Sequence, residues 1–224
     1  MLSLATFTVF GLVLLFSPPG REGLRFVMEY PPRRRLAALA LLVLAFFTGA
    51  LAFLLLSQSC LQQLLDWFTD GAMNAGRFFG RVTDASPWAR PPGVRPEVGL
   101  GFVAGEVWRT WAWNVLVGLG PALGLALWRW RYAYFLTFAR MLVLGFVLSP
   151  AYYAFWGWYT MIVAPLVLLE LGAYALIAVA ALRLEEEKAS RAVGLRALVR
   201  VGIAAAGVLV WASLYETIAL YYWL

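Results

Sequence analysis

Histidine is absent from this 224-residue chain, which holds a single cysteine, Cys60. Without imidazole there is no His general base, no His zinc ligand and no haem held by a ring nitrogen. One thiol cannot close an intrachain disulfide, and neither H-E-x-x-H nor C-x-x-C can occur. Charge is scarce as well, at 13% of residues, against roughly a quarter in a soluble domain. The phosphate loop G-x-x-x-x-G-K-[ST] is missing, and Asp66, Asp70 and Asp84 lack calcium-loop spacing. No metal or cofactor is expected. What is abundant is apolar sequence, 63% of the chain, more than a small soluble sphere can hide. A soluble enzyme, a disordered tail and a nucleic-acid-binding domain fit poorly. The composition is that of an all-α polytopic membrane protein whose first partner is the lipid bilayer.

A spanning helix needs about 20 mostly apolar residues to cross a ~30 Å hydrocarbon core. Residues 1–17 form a short uncharged run ending at Ser17-Pro18-Pro19-Gly20. The run lacks the basic start and small-residue cleavage site of a secretory signal, and reads as a short spanning or interfacial helix. Residues 21–35 carry five Arg against two Glu and end in Pro31-Pro32-Arg33-Arg34-Arg35. That is the strongest cytoplasmic marker in the chain. Spans are expected at 36–57, 107–128, 132–156, 165–182 and 201–220, giving five or six crossings with the N-terminal run. The chain divides into an N-terminal part, 1–35, and a helical domain, 36–224, with an outer loop at 58–106. In that loop Leu61, Leu64, Leu65 and Phe68 fall at helical spacing opposite Gln62, Gln63, Asp66 and Asp70, marking an amphipathic helix along the membrane surface. A hairpin turn is expected at Gly157-Trp158-Tyr159-Thr160, and Glu185-Glu186-Glu187 is expected to form helical pairs with Lys188 and Arg191.

Ionisable groups at membrane depth are costly and usually face other helices or water. Glu170, Glu216 and Arg140 are such groups, and Asn114 adds an amide in another span. Pro165 suits a helix start. With that start at the outer face, Glu170, Glu216 and Asn114 come to one layer, roughly 7–12 Å below it at ~1.5 Å per residue. Arg140 lies nearer the inner leaflet, with a side chain long enough to reach a carboxylate or to snorkel to the interface. Glu106 and Arg109 mark the outer mouth. Two readings stay open: a layer that ties helices together by hydrogen bonds, or a polar pocket for an ion, proton or ligand. Gly118, Gly120, Gly124 and the Gly202-x-x-x-Ala206 spacing permit close helix packing within the chain or a homo-oligomer face.

The segment from Pro165 through Glu170-Leu171 to Leu182-Arg183-Leu184 resembles the stage II sporulation protein M family, with its P-H-G-x-x-E-L box and following G-L-R-L. Leu166 and Val167 replace the His and Gly of that box. Trp211-Ala212-Ser213-Leu214-Tyr215-Glu216 is similar to the family's closing A-A-x-x-E pattern, and the Asn114 region to its second span. The similarity runs from about residue 36 to the C-terminus. It implies a non-enzymatic membrane scaffold in the bacterial cytoplasmic (inner) membrane, organising peptidoglycan-remodelling partners of the cell envelope. The alternative is the membrane-spanning subunit of a transporter such as an ABC-type exporter, coupled to an ATPase subunit through the basic segment 183–200. An enzyme using Glu170 and Glu216 as an acid/base pair lacks a nucleophile constellation.

Overall fold

The computed structural model describes residues 4–55, 100–147 and 157–218, and every element among them is helical. In chain order these are α1 (Leu4–Phe16), α2 (Pro18–Met28), α3 (Pro32–Leu55), α4 (Leu100–Trp113), a π-helical segment (Asn114–Leu119), α5 (Gly120–Trp128), α6 (Trp130–Val147), α7 (Gly157–Glu186) and α8 (Arg191–Ile218). Four stretches are long and apolar enough to cross a membrane: Pro32–Ala52, Ala104–Trp128, Pro165–Glu186 and Arg191–Ile218. The amphipathic helix expected at 61–70 lies outside the described residues. Residues 100–106, expected within the outer loop, belong to α4, which begins at Leu100; the rest of that expected loop, 58–99, lies outside the described residues.

Helix α8 is the axis of the bundle, with α1, α2, α4 and α7 packed around it. In lipid no hydrophobic force draws apolar helices together, so close van der Waals packing and hydrogen bonds must do so. The α7–α8 interface shows the consequence. Ala173, Ala178, Ala180 and Ala181 on α7 and Ala204, Ala205 and Ala212 on α8 are fully buried. Small side chains let the two backbones approach. On α3 the outward face is apolar instead: Leu41, Val43, Leu44, Phe47 and Leu51 are half or more exposed, as suits a surface bathed in acyl chains. Its inner face packs on α6. There the Tyr134 hydroxyl donates to the Ala38 carbonyl at 3.0 Å, and Gly145 lies so close to the Phe46 carbonyl that no Cβ would fit.

The N-terminal run is too short to cross alone, since 13 residues rise about 20 Å. Yet α1 and α2 together follow α8 antiparallel. Gly11 lies against Val210 and Trp211, Leu14 and Leu15 against Gly207, and Gly23 against Arg200 and Val201. Ser17 makes the kink between them. Its hydroxyl donates to the Leu14 carbonyl at 3.0 Å and accepts from the Gly20 amide at 3.2 Å.

Two expectations for residues 157–186 are corrected. Residues 157–160 are the first helical turn of α7 and not a hairpin turn, and Pro165 lies inside α7 and does not start it. A membrane helix tolerates an internal proline because neighbouring groups re-satisfy the freed carbonyl. The depth of Glu170 therefore cannot be measured from Pro165.

Candidate functional site

The polar layer begins with a break in regular hydrogen bonding. Pro121 has no N–H to give the carbonyl four residues back, which belongs to Val117. The helix relaxes into a π-helical segment over Asn114–Leu119, with the Gly120 amide donating to the Val115 carbonyl. Single π-turns of this kind expose carbonyls inside an otherwise saturated helix. Arg140, on α6, fills the gap: its guanidinium donates to the carbonyls of both Val117 and Gly118. The same guanidinium lies over the Tyr174 ring, 4.8 Å from its centroid. Of the two reaches the sequence allows, a carboxylate or the inner interface, the structure shows neither as the direct contact; backbone carbonyls and an aromatic face take the charge.

Glu170 joins from α7. The Asn114 amide donates to its Oε1 at 2.7 Å, a charge-assisted bond when the carboxylate is ionised. Arg140 and Glu170 attract each other electrostatically. Glu216, on α8, interacts electrostatically with Glu170 and with Tyr174. Residues from four separate chain segments, Asn114, Arg140, Glu170 and Glu216, are thus in one electrostatic neighbourhood. Formally it holds two carboxylates and one guanidinium. Tyr174 was not singled out in the sequence, although its i+4 spacing from Glu170 puts both on one helix face. It is buried, and its hydroxyl sits where Gly118 lacks a side chain: a Cβ there would lie 2.5 Å from that oxygen. Pro121, four residues beyond Val117, was the signal for the exposed carbonyl.

Of the remaining predicted residues, Glu106 and Arg109 pair with each other at 2.7 Å within α4, Glu106 buried and Arg109 half exposed. Beside them Trp108 and Trp111 meet Phe7 and Phe10 of α1. The Trp111 indole donates to the Ala206 carbonyl of α8 at 2.9 Å, and Gly202 is buried where an added Cβ would lie 3.6 Å from the Leu123 side chain, so the Gly202–Ala206 face serves packing within the chain. Gly120 and Gly124 are exposed and make no close approach.

The other end of the bundle is rich in arginine and carboxylate. Arg34 pairs with Glu186, Arg200 with Glu22 at 2.9 Å, and Arg183 with Glu187 at 2.7 Å. Arg183 also donates to the Phe26 carbonyl and lies over the Phe26 ring. Helical pairing of the acidic run with Lys188 and Arg191 does not occur. The helix ends at Glu186, and Lys188 takes a left-handed conformation, φ 49°, so the two sides of the break do not share a helix face. Ala189 donates to the Leu184 carbonyl at 3.0 Å and Lys188 to that of Glu185 at 3.2 Å, the bond pair of a Schellman cap. Tyr30 is buried in this end, and its burial together with a hydrogen bond to Glu186 pushes its phenol up to about 12.

No family model, no curated protein and no solved structure matches the chain.

Proposed function

We propose that the chain is a non-enzymatic integral membrane scaffold of the stage II sporulation protein M type, seated in a bacterial cytoplasmic membrane, where it organises peptidoglycan-remodelling envelope partners. One observation carries the reading. The three regions in which the sequence resembles that family, around Asn114, Glu170 and Glu216, converge on one polar layer although they are far apart in the chain. The side chains of Asn114, Arg140 and Glu170 are used on one another and on helix carbonyls. Such use suits groups that hold helices in a fixed arrangement.

The helix directions support six crossings. Segments α1–α2, α4–α5 and α7 run toward the arginine-rich end, and α3, α6 and α8 run away from it. With Arg33, Arg34 and Arg35 on the cytoplasmic side, the positive-inside rule is obeyed, and the segment expected at 58–106 would supply the outer partner surface.

Cross-linking in native membrane, followed by purification of the protein and identification of its neighbours, tests the function. Enrichment of cell-wall hydrolases or their tethers is expected. Enrichment of an ATPase subunit in their place would replace the scaffold with the exporter reading.

A further inference from the structure

At the arginine-rich end, α5, α6, α7 and α8 leave an open cavity of about 230 Å³. Its walls include Trp128, Arg129, Glu185 and Arg191. The space equals roughly seven or eight waters at ~30 Å³ each, enough for a phosphodiester and part of its alcohol. Among the described residues neither Arg129 nor Arg191 forms an ion pair, whereas Arg25, Arg34, Arg183 and Arg200 on this end do; Arg21, Arg33, Arg35, Arg131, Lys188 and Arg196 also lack an ion pair but do not line the cavity. Arg191 is held in place by another bond: its Nη2 donates to the Leu127 carbonyl at 2.8 Å, closing the end of α5 and leaving further N–H groups for a ligand. Arg129 follows the end of α5 in an extended conformation.

Trp128 is 75% exposed beside these arginines, and Leu127 next to it is 49% exposed. A tryptophan bordering two arginines that form no ion pair, at the end of an apolar helix, has the chemistry of the headgroup layer, where indole rings and basic side chains meet phosphates. With Glu185 in the wall, the cavity carries two positive charges and one negative. The surplus of one matches a singly charged phosphodiester better than a doubly charged free phosphate.

We propose that this cavity is a binding site for the headgroup of an anionic glycerophospholipid, with Arg129 and Arg191 on the phosphodiester and Trp128 beside its glycerol and upper acyl chain. The site is separate from the polar layer, and its test is independent of the scaffold reading.

The full chain is placed in phosphatidylcholine nanodiscs, with or without phosphatidylglycerol, and its melting temperature and lipid affinity are measured. Phosphatidylglycerol is expected to raise the melting temperature, and the double variant Arg129→Gln/Arg191→Gln to lose that rise and bind the lipid roughly tenfold more weakly. A control with the same charge loss, Arg33→Gln/Arg196→Gln, is expected to keep both. Equal losses in the two variants would reduce the effect to general surface charge and overturn the proposal. So would an equal rise from inorganic phosphate in phosphatidylcholine alone, which marks a free-anion site. Arg191 also caps α5, so Arg129→Gln and Arg191→Lys, made singly, test the site where the double variant does not fold; undiminished lipid affinity in both would likewise overturn it.

Discussion

Arg140 donates to the Val117 and Gly118 carbonyls, and Pro121 has no N–H to give the first of them. Replacing Arg140 with Leu removes both bonds, and a loss of roughly 1–3 kcal/mol for a buried group left unsatisfied is expected. Arg140→Lys keeps a cationic donor and should lose less, though an ammonium cannot reproduce the planar fork. Thermal unfolding in detergent, compared across the two variants, measures the difference. Asn114→Leu removes one interhelical hydrogen bond and should cost about 0.6–1.7 kcal/mol, the range such bonds show in membranes. Glu170→Leu and Glu216→Leu should both lower the melting temperature, and unchanged values for both would remove the layer's structural role. Tyr30 sets a pH limit at the other end. Its folded-state phenol titrates near 12 against an ordinary 10, so its contribution is complete below pH 10 and is lost as pH rises toward about 12. Ultraviolet titration of the phenolate, compared between wild type and Tyr30→Phe, checks this.

Among the elements, the contacts that decide helix separation are made by backbone, and side-chain bulk is what they cannot accept. Gly145→Ala would put a methyl into the Phe46 carbonyl of α3, and Gly23→Ala one into the Arg200 carbonyl of α8. Each should shift a whole helix and cost roughly 1–3 kcal/mol, the usual range for overpacking. Ala at exposed Gly124, with nothing within 4 Å of an added Cβ, is the matched control and should stabilise or leave stability unchanged. The α7–α8 cap calls for the opposite change. Lys188 holds a positive φ that favours glycine, so Lys188→Gly should stabilise the break by on the order of 1 kcal/mol. Differential melting of these variants reads all four effects on one scale.

At the scale of the whole molecule, the proposed six crossings would put Leu4 and Ile218 on the side opposite the arginine-rich end. A single cysteine at Lys188, introduced with Cys60→Ser, should be closed to a membrane-impermeant thiol reagent in intact cells and labelled once they are lysed. Labelling in intact cells would invert the topology.

How much of this was legible before folding depends on the range of the physics. Apolar run length, arginine placement and the scarcity of charge are local properties. They marked helices and a membrane setting, and they picked out Asn114, Arg140, Glu170 and Glu216 because a polar group in an apolar run is conspicuous. Pro165 misled because proline is equally at home in a first turn and inside a membrane helix whose neighbours compensate. The acidic run misled because i,i+4 pairing assumes an unbroken helix, and the break at Lys188 sends Glu186 to Arg34, a partner 152 positions away.

The sequence alone determined that this is a helical membrane protein with a few polar groups in its apolar spans, since transfer free energies act residue by residue. Only the tertiary structure decided that Arg140 binds the carbonyls freed near Pro121, that Tyr174 fills the space left by Gly118, and that α1 and α2 jointly follow α8. Those outcomes depend on which backbones approach one another closely, and that is a property of the packed bundle as a whole.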